Sequence, residues 1–337
     1  MKGVILAGGN GTRLKPFTDS TQKQLLPIAN TAVIDHIISD FEHVGINEIG
    51  VVIGGKFPDK VTEHFSKNTY PKSKLTTIKQ GKPRGLADAV MCAKKFVGDD
   101  PFIVYFGDTI AHRSYLDSIV QLYNADKFSA YVSLKQVFNP QNFGVAEFND
   151  GEIIAFHEKP NNPPSEYAYV GILAFNNRIF DIISNLEPSN RGELELTSAL
   201  NELALNSTIQ WSKSKDLWID VGTPTGYLNA NKAVIQKSKI GKIIDNQSIL
   251  LDTDSKLEHL RNITPGTKIR APVLISKTAK ICSGAKLGPY TIIGHNTRIV
   301  GADIRNSVVM NDCYLDHSCV IDNSIIGFNS KIKKSNQ

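Results

Sequence analysis

Aliphatic side chains recur every six residues from about residue 270 onward. Small residues stand four positions after the first four of them, at Ala279, Ala285, Thr291 and Thr297. Such a hexapeptide repeat is typical of a parallel β-helix, in which each hexapeptide forms one flat side and the aliphatic side chains stack as the core. An ordinary strand-rich domain is the weaker alternative. The repeated positions are Ile275, Ile281, Leu287, Ile293 and Ile299, and after a three-residue shift Val308, Tyr314, Val320, Ile326 and Ile332.

Strand and helix patterns alternate over 1–235. Apolar runs at 4–6, 51–53 and 102–106 predict buried strands, and apolar residues at helical spacing predict helices across 33–44, 86–97 and 116–123. This alternation indicates βαβ units and a mostly parallel sheet, an α/β fold. Between about 129 and 175 the pattern is strand-rich. There a hairpin is predicted to turn at Asn149, Asp150 and Gly151 and to form a flap beside the sheet.

The two periods divide the chain into an α/β domain at 1–235, a connector at 236–269 and a β-helix at 270–337. Nine Lys and Arg against four Asp in 270–337 account for the whole net charge of +5. Because these cations are scattered without interleaved aromatic residues, they indicate a solvated surface and no nucleic-acid partner. No apolar run reaches the length of a membrane span and no signal peptide precedes the first strand, so we expect a cytoplasmic protein without a membrane partner.

A glycine-rich loop follows the first predicted strand, in the segment GVILAGGNGTRLKPFT. It lacks the Gly-Lys-Ser/Thr end of a P-loop, and Leu14 stands where a dinucleotide fingerprint needs glycine. Even so, glycines at the end of a parallel strand let backbone N–H groups approach a triphosphate closely, and nearby cations can bind its oxygens. A simple tight turn is the alternative. The residues of this predicted phosphate loop are Gly8, Gly9 and Gly11, with Arg13 and Lys23 as cations.

Two aspartates follow apolar strands, Asp108 in VYFGDT and Asp220 in LWIDVGTP. Carboxylates at the carboxyl ends of strands in such a sheet lie at the edge that binds ligands. Together with a phosphate loop they predict a Mg²⁺ site, because Mg²⁺ prefers a couple of carboxylates plus phosphate and water oxygens. Each alone could instead be a turn or cap residue. Lys159, at the end of the predicted hairpin, is expected to reach over the same site, with a surface ion pair to Glu158 as the alternative.

The chain resembles the sugar-nucleotide pyrophosphorylases, and most closely the long form of the glucose-1-phosphate thymidylyltransferases. LAGGNGTRLKPFT (6–18) with KQLLP (23–27) resembles their signature. The resemblance covers nearly the whole chain and implies a Rossmann-like nucleotidyltransferase domain followed by a short left-handed parallel β-helix. Later segments occur in the order found in that family: QGKPRGLADAV (80–90), GDDPFIVYFGD (98–108), FGVAEF (143–148), HEKP (157–160), RGELELT (191–197) and WIDVGTP (218–224).

The resemblance also implies roles for individual residues. Arg13 would bind the β- and γ-phosphates, Lys23 would lie near the reacting phosphates, and Gln80 would pair with a pyrimidine, because its amide offers both an acceptor and a donor. Asp108 and Asp220 would hold Mg²⁺, Asp108 would also contact the nucleotide, and Lys159 would contact the sugar phosphate. The remaining nucleotide-binding residues would be Leu6, Gly8, Gly9, Gly11, Thr12 and Gly85, and the remaining sugar-binding residues Gly144, Glu158, Tyr169 and Glu193.

The expected reaction is the Mg²⁺-dependent in-line attack of glucose-1-phosphate on the α-phosphorus of dTTP or UTP, which yields the nucleotide sugar and pyrophosphate. Arg13, Lys23, Asp108 and Lys159 would act in catalysis, and the protein would assemble as a homo-oligomer. Two alternatives stay open. One is a non-catalytic regulatory paralogue, which the retained charged residues oppose. The other is a bifunctional enzyme whose β-helix carries an acyltransferase site, with His295 or His317 as its base.

Overall fold

A computed structural model describes residues 1–205, 209–236, 246–251, 262–316 and 319–333. Its contacts divide the chain into two units, one formed by 1–10 and 37–218, the other by 11–36 and 219–337. The helices are α1 (Val33–His43), α2 (Pro58–Lys67), α3 (Leu86–Cys92), α4 (Lys94–Val97), α5 (Ser114–Leu122), α6 (Arg178–Ser184), α7 (Leu196–Leu205) and α8 (Pro224–Ile235). Up to residue 220 the strands are β1 (Lys2–Ala7), β2 (Pro27–Ile28), β3 (Thr31–Ala32), β4 (Glu48–Ile53), β5 (Lys74–Lys79), β6 (Phe102–Phe106), β7 (Thr109–Ala111), β8 (Ala130–Gln136), β9 (Gly144–Asn149), β10 (Glu152–Glu158), β11 (Tyr167–Phe175), β12 (Ile209–Ser214) and β13 (Trp218–Asp220).

The first unit is built on one mixed sheet, which within the described residues has nine strands. Its main path runs β10-β9-β11-β6-β1-β4-β5, while β8 pairs with β11 and with β12. The pairs β1–β4, β1–β6, β4–β5 and β8–β12 are parallel, and β11 runs antiparallel to β6. The predicted α/β architecture is therefore confirmed.

Valine and isoleucine fill the central strands, as expected of strands buried on both faces. Val4, Ile5, Val104 and Leu173 are fully buried in the core of this unit, and α3, α6 and α7 add Val90, Ile179 and Leu200 to it. This packing fixes the ends of β1 and β6, which carry the glycine loop and Asp108.

Two local predictions need adjustment. The helix predicted across 86–97 is interrupted at Ala93, so that α3 and α4 are separate short helices. The predicted hairpin forms, with β9 antiparallel to β10 around Asp150 and Gly151, which both have positive φ. However, it is not a separate flap: β9 also pairs with β11, so the hairpin extends the sheet itself.

In the second unit, α8 contacts the 27–31 turn that follows the glycine loop. The Tyr227 hydroxyl donates a hydrogen bond to the Pro27 carbonyl, and the Ala29 N–H donates to Asn231 Oδ1 at 2.9 Å. Asn30 Nδ2 donates to Ser248 Oγ at 2.9 Å and to the Ile293 carbonyl at 3.1 Å. The turn is thus joined by hydrogen bonds both to α8 and to the β-helix.

The C-terminal strands form three stacks, as expected of a parallel β-helix. The stacks are β14-β16-β19-β22-β25, β15-β18-β21-β24 and β17-β20-β23-β26, in which all pairs are parallel except β14–β16. The strands are β14 (Ser248–Leu251), β15 (Lys268–Ile269), β16 (Val273–Ser276), β17 (Lys280–Ile281), β18 (Lys286–Leu287), β19 (Thr291–Ile293), β20 (Arg298–Val300), β21 (Asp303–Arg305), β22 (Val308–Val309), β23 (Tyr314–Asp316), β24 (Val320–Asp322), β25 (Ile325–Ile326) and β26 (Lys331–Ile332).

The first repeat frame is correct and the second is wrong at three positions. All five aliphatic residues of the first frame are buried, but Val320 is 64% exposed. Val309, Leu315 and Ile321 lie in the core of the β-helix instead of Val308, Tyr314 and Val320, although Val308 is also buried. The reason is a change in coil length: Ile281 pairs with Ile299, whereas Ile293 pairs with Val309, which is a shorter step along the chain. Much of the predicted connector lies outside the described residues.

None of the helices in the described ranges has both the length and the apolar character that crossing a bilayer requires.

Candidate active site

The glycine loop begins where β1 ends, at Ala7. A Cβ placed on Gly8 would lie 2.5 Å from Gln80 Oε1, so any larger residue would displace this amide. The Leu6 side chain lies in the core, and its carbonyl accepts a hydrogen bond from the Gly107 N–H at 3.0 Å. Leu6 therefore ties β1 to the residue just before Asp108.

The loop continues into the second unit at Gly11, which has a left-handed φ of 63°. A Cβ there would lie 3.0 Å from carbons of both Lys23 and Thr18, and the Thr18 hydroxyl donates to the Gly11 carbonyl at 2.9 Å. Thr12 and Arg13 follow in an exposed 3₁₀ turn. The glycine thus allows Lys23 to lie directly against the start of this turn.

Asp220 ends β13 and lies against Arg13. Its Oδ2 is 3.6 Å from Arg13 Nη2, and its Oδ1 accepts a hydrogen bond from the Gly222 N–H at 2.7 Å. A Cβ on Gly222 would lie 2.8 Å from Arg13 Nη2, so a larger residue there would displace the guanidinium. Immediately after, Thr223 caps α8 through the Gly226 N–H and Pro224 takes its first position, two features that favour a helix start here.

Asp108 follows β6 directly and is partly exposed, as is Asp220. Each carboxylate offers the hard oxygen donors that Mg²⁺ prefers. In the part of the chain that the structure describes, no group of three or more His, Cys, Asp or Glu side chains forms an all-protein metal site. The chemistry of each carboxylate suits an ion whose other ligands are phosphate and water oxygens.

Gln80 is nearly buried and is held by Asp88. Gln80 Nε2 donates to Asp88 Oδ2 at 2.9 Å, and Arg84 donates to Asp88 Oδ1 from Nε at 3.0 Å and from Nη2 at 2.7 Å. Gly85, with a φ of 117°, brings its backbone against Leu194, whose carbonyl a Cβ would strike. The loop that carries Gln80 is therefore fixed at both ends.

Gly144, Glu158 and Tyr169 meet at the hairpin. Gly144 pairs with Glu158 across β9 and β10, and a Cβ on Gly144 would clash with the Tyr169 ring. That ring also packs edge-on against Phe106 and Phe156. The three rings form an aromatic floor under the Gly144 backbone. The Glu158 carboxylate lies next to this floor and is 16% exposed.

Beside this floor, two cations share Glu158. Lys159 Nζ lies 3.0 Å from Glu158 Oε1, and Arg191 Nη1 lies 3.4 Å from the same oxygen. Arg191 also contacts Glu193 at 3.7 Å and Glu195 at 3.3 Å. Lys159 has a left-handed φ of 45°, a conformation that non-glycine residues rarely adopt and that is enriched at functional sites.

Burial raises the pKa of two side chains in this region, Tyr169 and Glu195. Burial raises the pKa of Tyr169 well above its usual range, helped by the negative charges of Glu158 and Glu195. Burial also raises the pKa of Glu195, opposed by the hydrogen bond from Ser189 and the charge of Arg191. The phenol of Tyr169 therefore stays protonated at neutral pH.

The sequence profile of the family described as nucleotidyl transferase matches residues 2–237, well over half of the chain. The chain belongs to the nucleotidyl transferase family. A second profile, described as the GMPPB C-terminal domain, matches residues 269–337 of this nucleotidyltransferase.

Similar proteins match this nucleotidyltransferase along nearly its whole length. The low-salt glycan biosynthesis nucleotidyltransferase Agl11 of Haloferax volcanii is 38% identical over 98% of this chain and 94% of its own. A glucose-1-phosphate thymidylyltransferase of Streptomyces antibioticus is 32% identical over 99% of this chain and 94% of its own. Among solved structures, a protein assigned as a glucose-1-phosphate thymidylyltransferase from Bacillus anthracis is 32% identical, has a TM-score of 0.64, and covers 72% of this chain and 97% of its own.

In this nucleotidyltransferase, Gly144, Glu158, Lys159 and Tyr169 form one continuous set of contacts, to which Arg191 joins Glu193. Arg13 and Asp220 form another. Arg191 contacts the first set of residues and Asp88 contacts Gln80, but the sequence did not predict them as site residues. Arg191 stands in a segment already matched to the family, where a cation closely followed by Glu193 and Glu195 was the available signal. Asp88 gave no comparable signal, because its contact with Gln80 depends on the turn at Gly85.

Of the two histidines considered for an acyltransferase site, His317 lies outside the described residues. His295 Nδ1 lies 2.8 Å from Ser276 Oγ, which is fully buried and also lies 3.0 Å from Thr278 Oγ1. His295 is thus part of a hydrogen-bond network on the β-helix, and this supports a structural role.

Proposed function

We propose that this nucleotidyltransferase joins a sugar-1-phosphate to a nucleoside triphosphate, with glucose-1-phosphate as the sugar and dTTP or UTP as the nucleotide. The observation that carries the proposal is the group formed by Gly144, Glu158, Lys159, Tyr169 and Arg191. Carboxylates and a protonated phenol can bind sugar hydroxyls, while two adjacent cations can bind a phosphate. A phosphorylated sugar needs both kinds of group at once.

The nucleotide side is supported by the other contacts. Gln80 lies against the Gly8 backbone, where a planar base would bind over the glycines. Arg13 would hold the β- and γ-phosphates, and Lys23 would lie near the reacting phosphates. Arg13 is the better of the two for bridging phosphate oxygens, because its planar guanidinium donates in a fork. The named activities of the relatives agree with this division, since one is a glucose-1-phosphate thymidylyltransferase.

The chemistry requires no strong base and no covalent intermediate. An oxygen of the sugar phosphate, already an anion, attacks the α-phosphorus, the bond from that phosphorus to the bridging oxygen breaks, and pyrophosphate leaves with the electron pair. Lys159 and Arg191 orient the nucleophile and neutralise its charge, and Arg13 holds the leaving pyrophosphate, so that catalysis consists of positioning and electrostatic stabilisation. A Mg²⁺ ion held by Asp108 and Asp220 would supply further positive charge at the phosphates.

The test is a screen for pyrophosphate release, in which each NTP and dNTP is combined with several sugar-1-phosphates and Mg²⁺. We expect release only when both substrates are present, and highest turnover with glucose-1-phosphate and dTTP or UTP. Asp126→Asn, at an exposed surface carboxylate, is the control for intact enzyme. Failure of every pair to release pyrophosphate would contradict the proposal, as would release from a nucleotide alone at the same rate.

A further inference from the structure

The amide of Gln80 is oriented by a buried carboxylate. Gln80 is 8% exposed and Asp88 5% exposed, and one N–H of Gln80 Nε2 donates to Asp88 Oδ2 at 2.9 Å. The other oxygen of Asp88 accepts two hydrogen bonds from Arg84, at 3.0 and 2.7 Å. Because a carboxylate can only accept hydrogen bonds, the group of Gln80 that faces it must be the NH₂.

The orientation of this NH₂ determines what Gln80 presents on its other side. Oε1 points toward the glycine loop, where a Cβ on Gly8 would lie 2.5 Å away and one on Gly54 3.3 Å away. Among the described residues, no donor forms a hydrogen bond to this oxygen. The protein therefore leaves a hydrogen-bond acceptor directed at the glycines.

We propose that Asp88 is a positioning residue that sets base selectivity by locking the Gln80 amide with its oxygen toward the nucleotide. The inference rests on the proposed function, in which the base binds at Gln80. An acceptor there matches the ring N–H of uracil, thymine or guanine. It opposes the bare ring nitrogen of cytosine or adenine, because two acceptors would then face each other without a proton between them.

Arg84 supports this arrangement from outside. Its side chain is 66% exposed, whereas that of Asp88 is 7% exposed. The arginine therefore balances the charge of a carboxylate that has left water, and its bidentate geometry fixes the plane of that carboxylate. Arg84→Gln should weaken selectivity less than a change at Asp88, because the exposed guanidinium can be partly replaced by water.

The test measures kcat/KM for two nucleotides of equal size that differ at this edge, UTP against CTP, or GTP against ATP if the screen selects a purine. Asp88→Asn can donate as well as accept, so the Gln80 amide is free to turn. We expect the ratio of the two kcat/KM values to fall about tenfold, largely through a gain with the nucleotide that lacks the N–H. Asp126→Asn should keep the wild-type ratio.

A double variant that exchanges the charges of Gln80 and Asp88 gives the decisive comparison. Gln80→Glu alone places two carboxylates against each other and should weaken binding of every nucleotide. In the double variant Gln80→Glu with Asp88→Asn, the new amide donates to the new carboxylate, whose other oxygen again faces the base as an acceptor. The pair keeps its total charge, and the preference for the N–H-bearing base should return.

A purely structural role for Asp88 would not restore selectivity in the double variant. Thermal melting identifies variants that fail to fold, and if Asp88→Asn is one of them, the double variant and Arg84→Gln carry the test. Unchanged ratios in folded Asp88→Asn, or no recovery in a folded double variant, would overturn the inference while leaving the proposed function intact. A wild-type enzyme that releases pyrophosphate with no N–H-bearing nucleotide would instead contradict the proposed function.

Discussion

Arg13 Nη2 lies 3.6 Å from Asp220 Oδ2, between two residues that are far apart in the chain. The contact joins the cation of the glycine loop to the second predicted metal ligand. It is half-exposed, so it adds little to the stability of the fold. In the proposed function, this contact brings the group that would bind the phosphates next to one that would bind the metal ion.

We predict that Asp220→Asn lowers kcat/KM on the order of 10²-fold or more, since removing one fixed charge of an active site typically costs about 3 kcal/mol. The amide keeps the shape of the side chain but loses the charge that holds Arg13. Steady-state pyrophosphate release measures the effect, with Asp126→Asn as the matched control. Near-normal turnover in Asp220→Asn would remove this residue from the site.

Lys159 and Arg191 bind the same oxygen of Glu158, and we expect both to act on the sugar phosphate. Lys159→Ala and Arg191→Ala should each lower kcat/KM for the sugar-1-phosphate on the order of 10²-fold, because each removes a charge that offsets the repulsion of two anions. The KM for the nucleotide should change far less.

Lys72→Ala is the control for this pair, because Lys72 is exposed and lies outside both contact groups. An equal loss with respect to both substrates in the Lys159 and Arg191 variants would argue for a general structural defect. Arg191→Lys is expected to recover only part of the kcat/KM that Arg191→Ala loses, since Lys cannot donate in a planar fork.

The close contact of Gly8 with Gln80 gives a steric test of the nucleotide site. Gly8→Ala places a methyl group 2.5 Å from Gln80 Oε1, so the amide must move. We expect a loss of about tenfold or more in kcat/KM for the nucleotide, since a small displacement of a positioning group is costly. Gly81→Ala, at a site with no heavy atom within 4 Å, should behave as wild type. Equal behaviour of the two variants would show that the loop does not approach the base.

Gln80→Ala should relax the choice of base more than it slows the best nucleotide. The alanine removes both the acceptor and the donor, so matched and mismatched bases lose the feature that distinguishes them. The ratio of kcat/KM for UTP and CTP measures this. An equal fall with every nucleotide would contradict a role of Gln80 in base selection.

The parts of the fold that follow from local periodicity could be predicted from the sequence. Apolar runs identified β1 and β6, and a period of six identified the β-helix, because these patterns reflect burial within a short stretch of chain. Val320 was assigned to the core wrongly, since coils that become shorter partway along the β-helix shift the inward position without ending the pattern. Only the pairing of strands shows where such a shift occurs.

The site residues could likewise be predicted only where a local sequence pattern pointed to them. Glycines and charged residues in recognisable segments led to Gly144, Glu158 and Lys159 as site residues. They also led to Arg13 and Asp220, although not to the contact between these two. Asp88 was missed, although it lies in a quoted segment, because an aspartate within a helical apolar stripe resembles an ordinary exposed residue. Its burial against Gln80 depends on the left-handed backbone at Gly85 and the packing of Leu194, which are tertiary features.

The buried pair of Asp40 and Arg113 predicts a loss of stability away from the site. Asp40 is 1% exposed, lies 3.2 Å from Arg113 Nε, and accepts a hydrogen bond from the Tyr105 hydroxyl at 3.1 Å. Arg113→Ala leaves the carboxylate in the core without its cation, and we expect a loss of about 2–4 kcal/mol in the free energy of unfolding. Urea unfolding measures it, with Lys72→Ala as control. A midpoint that does not change would mean that water replaces the arginine there.

Asp216 predicts a dependence of stability on pH. The hydrogen bond from the Ser114 hydroxyl lowers the pKa of Asp216, with smaller help from the charges of His112 and Lys135. A carboxyl group whose pKa is lower in the folded state stabilises the fold above its unfolded pKa of about 4, and this contribution disappears as the pH falls through the folded value.

Ser114→Ala should therefore be less stable than wild type at pH 7, and the difference should shrink as the pH falls below about 4. Ser184→Ala, which removes a hydrogen bond to a backbone carbonyl only, should differ from wild type by an amount that does not vary with pH. A difference for Ser114→Ala that stays constant or grows in acid would show that this hydroxyl does not set the titration of Asp216.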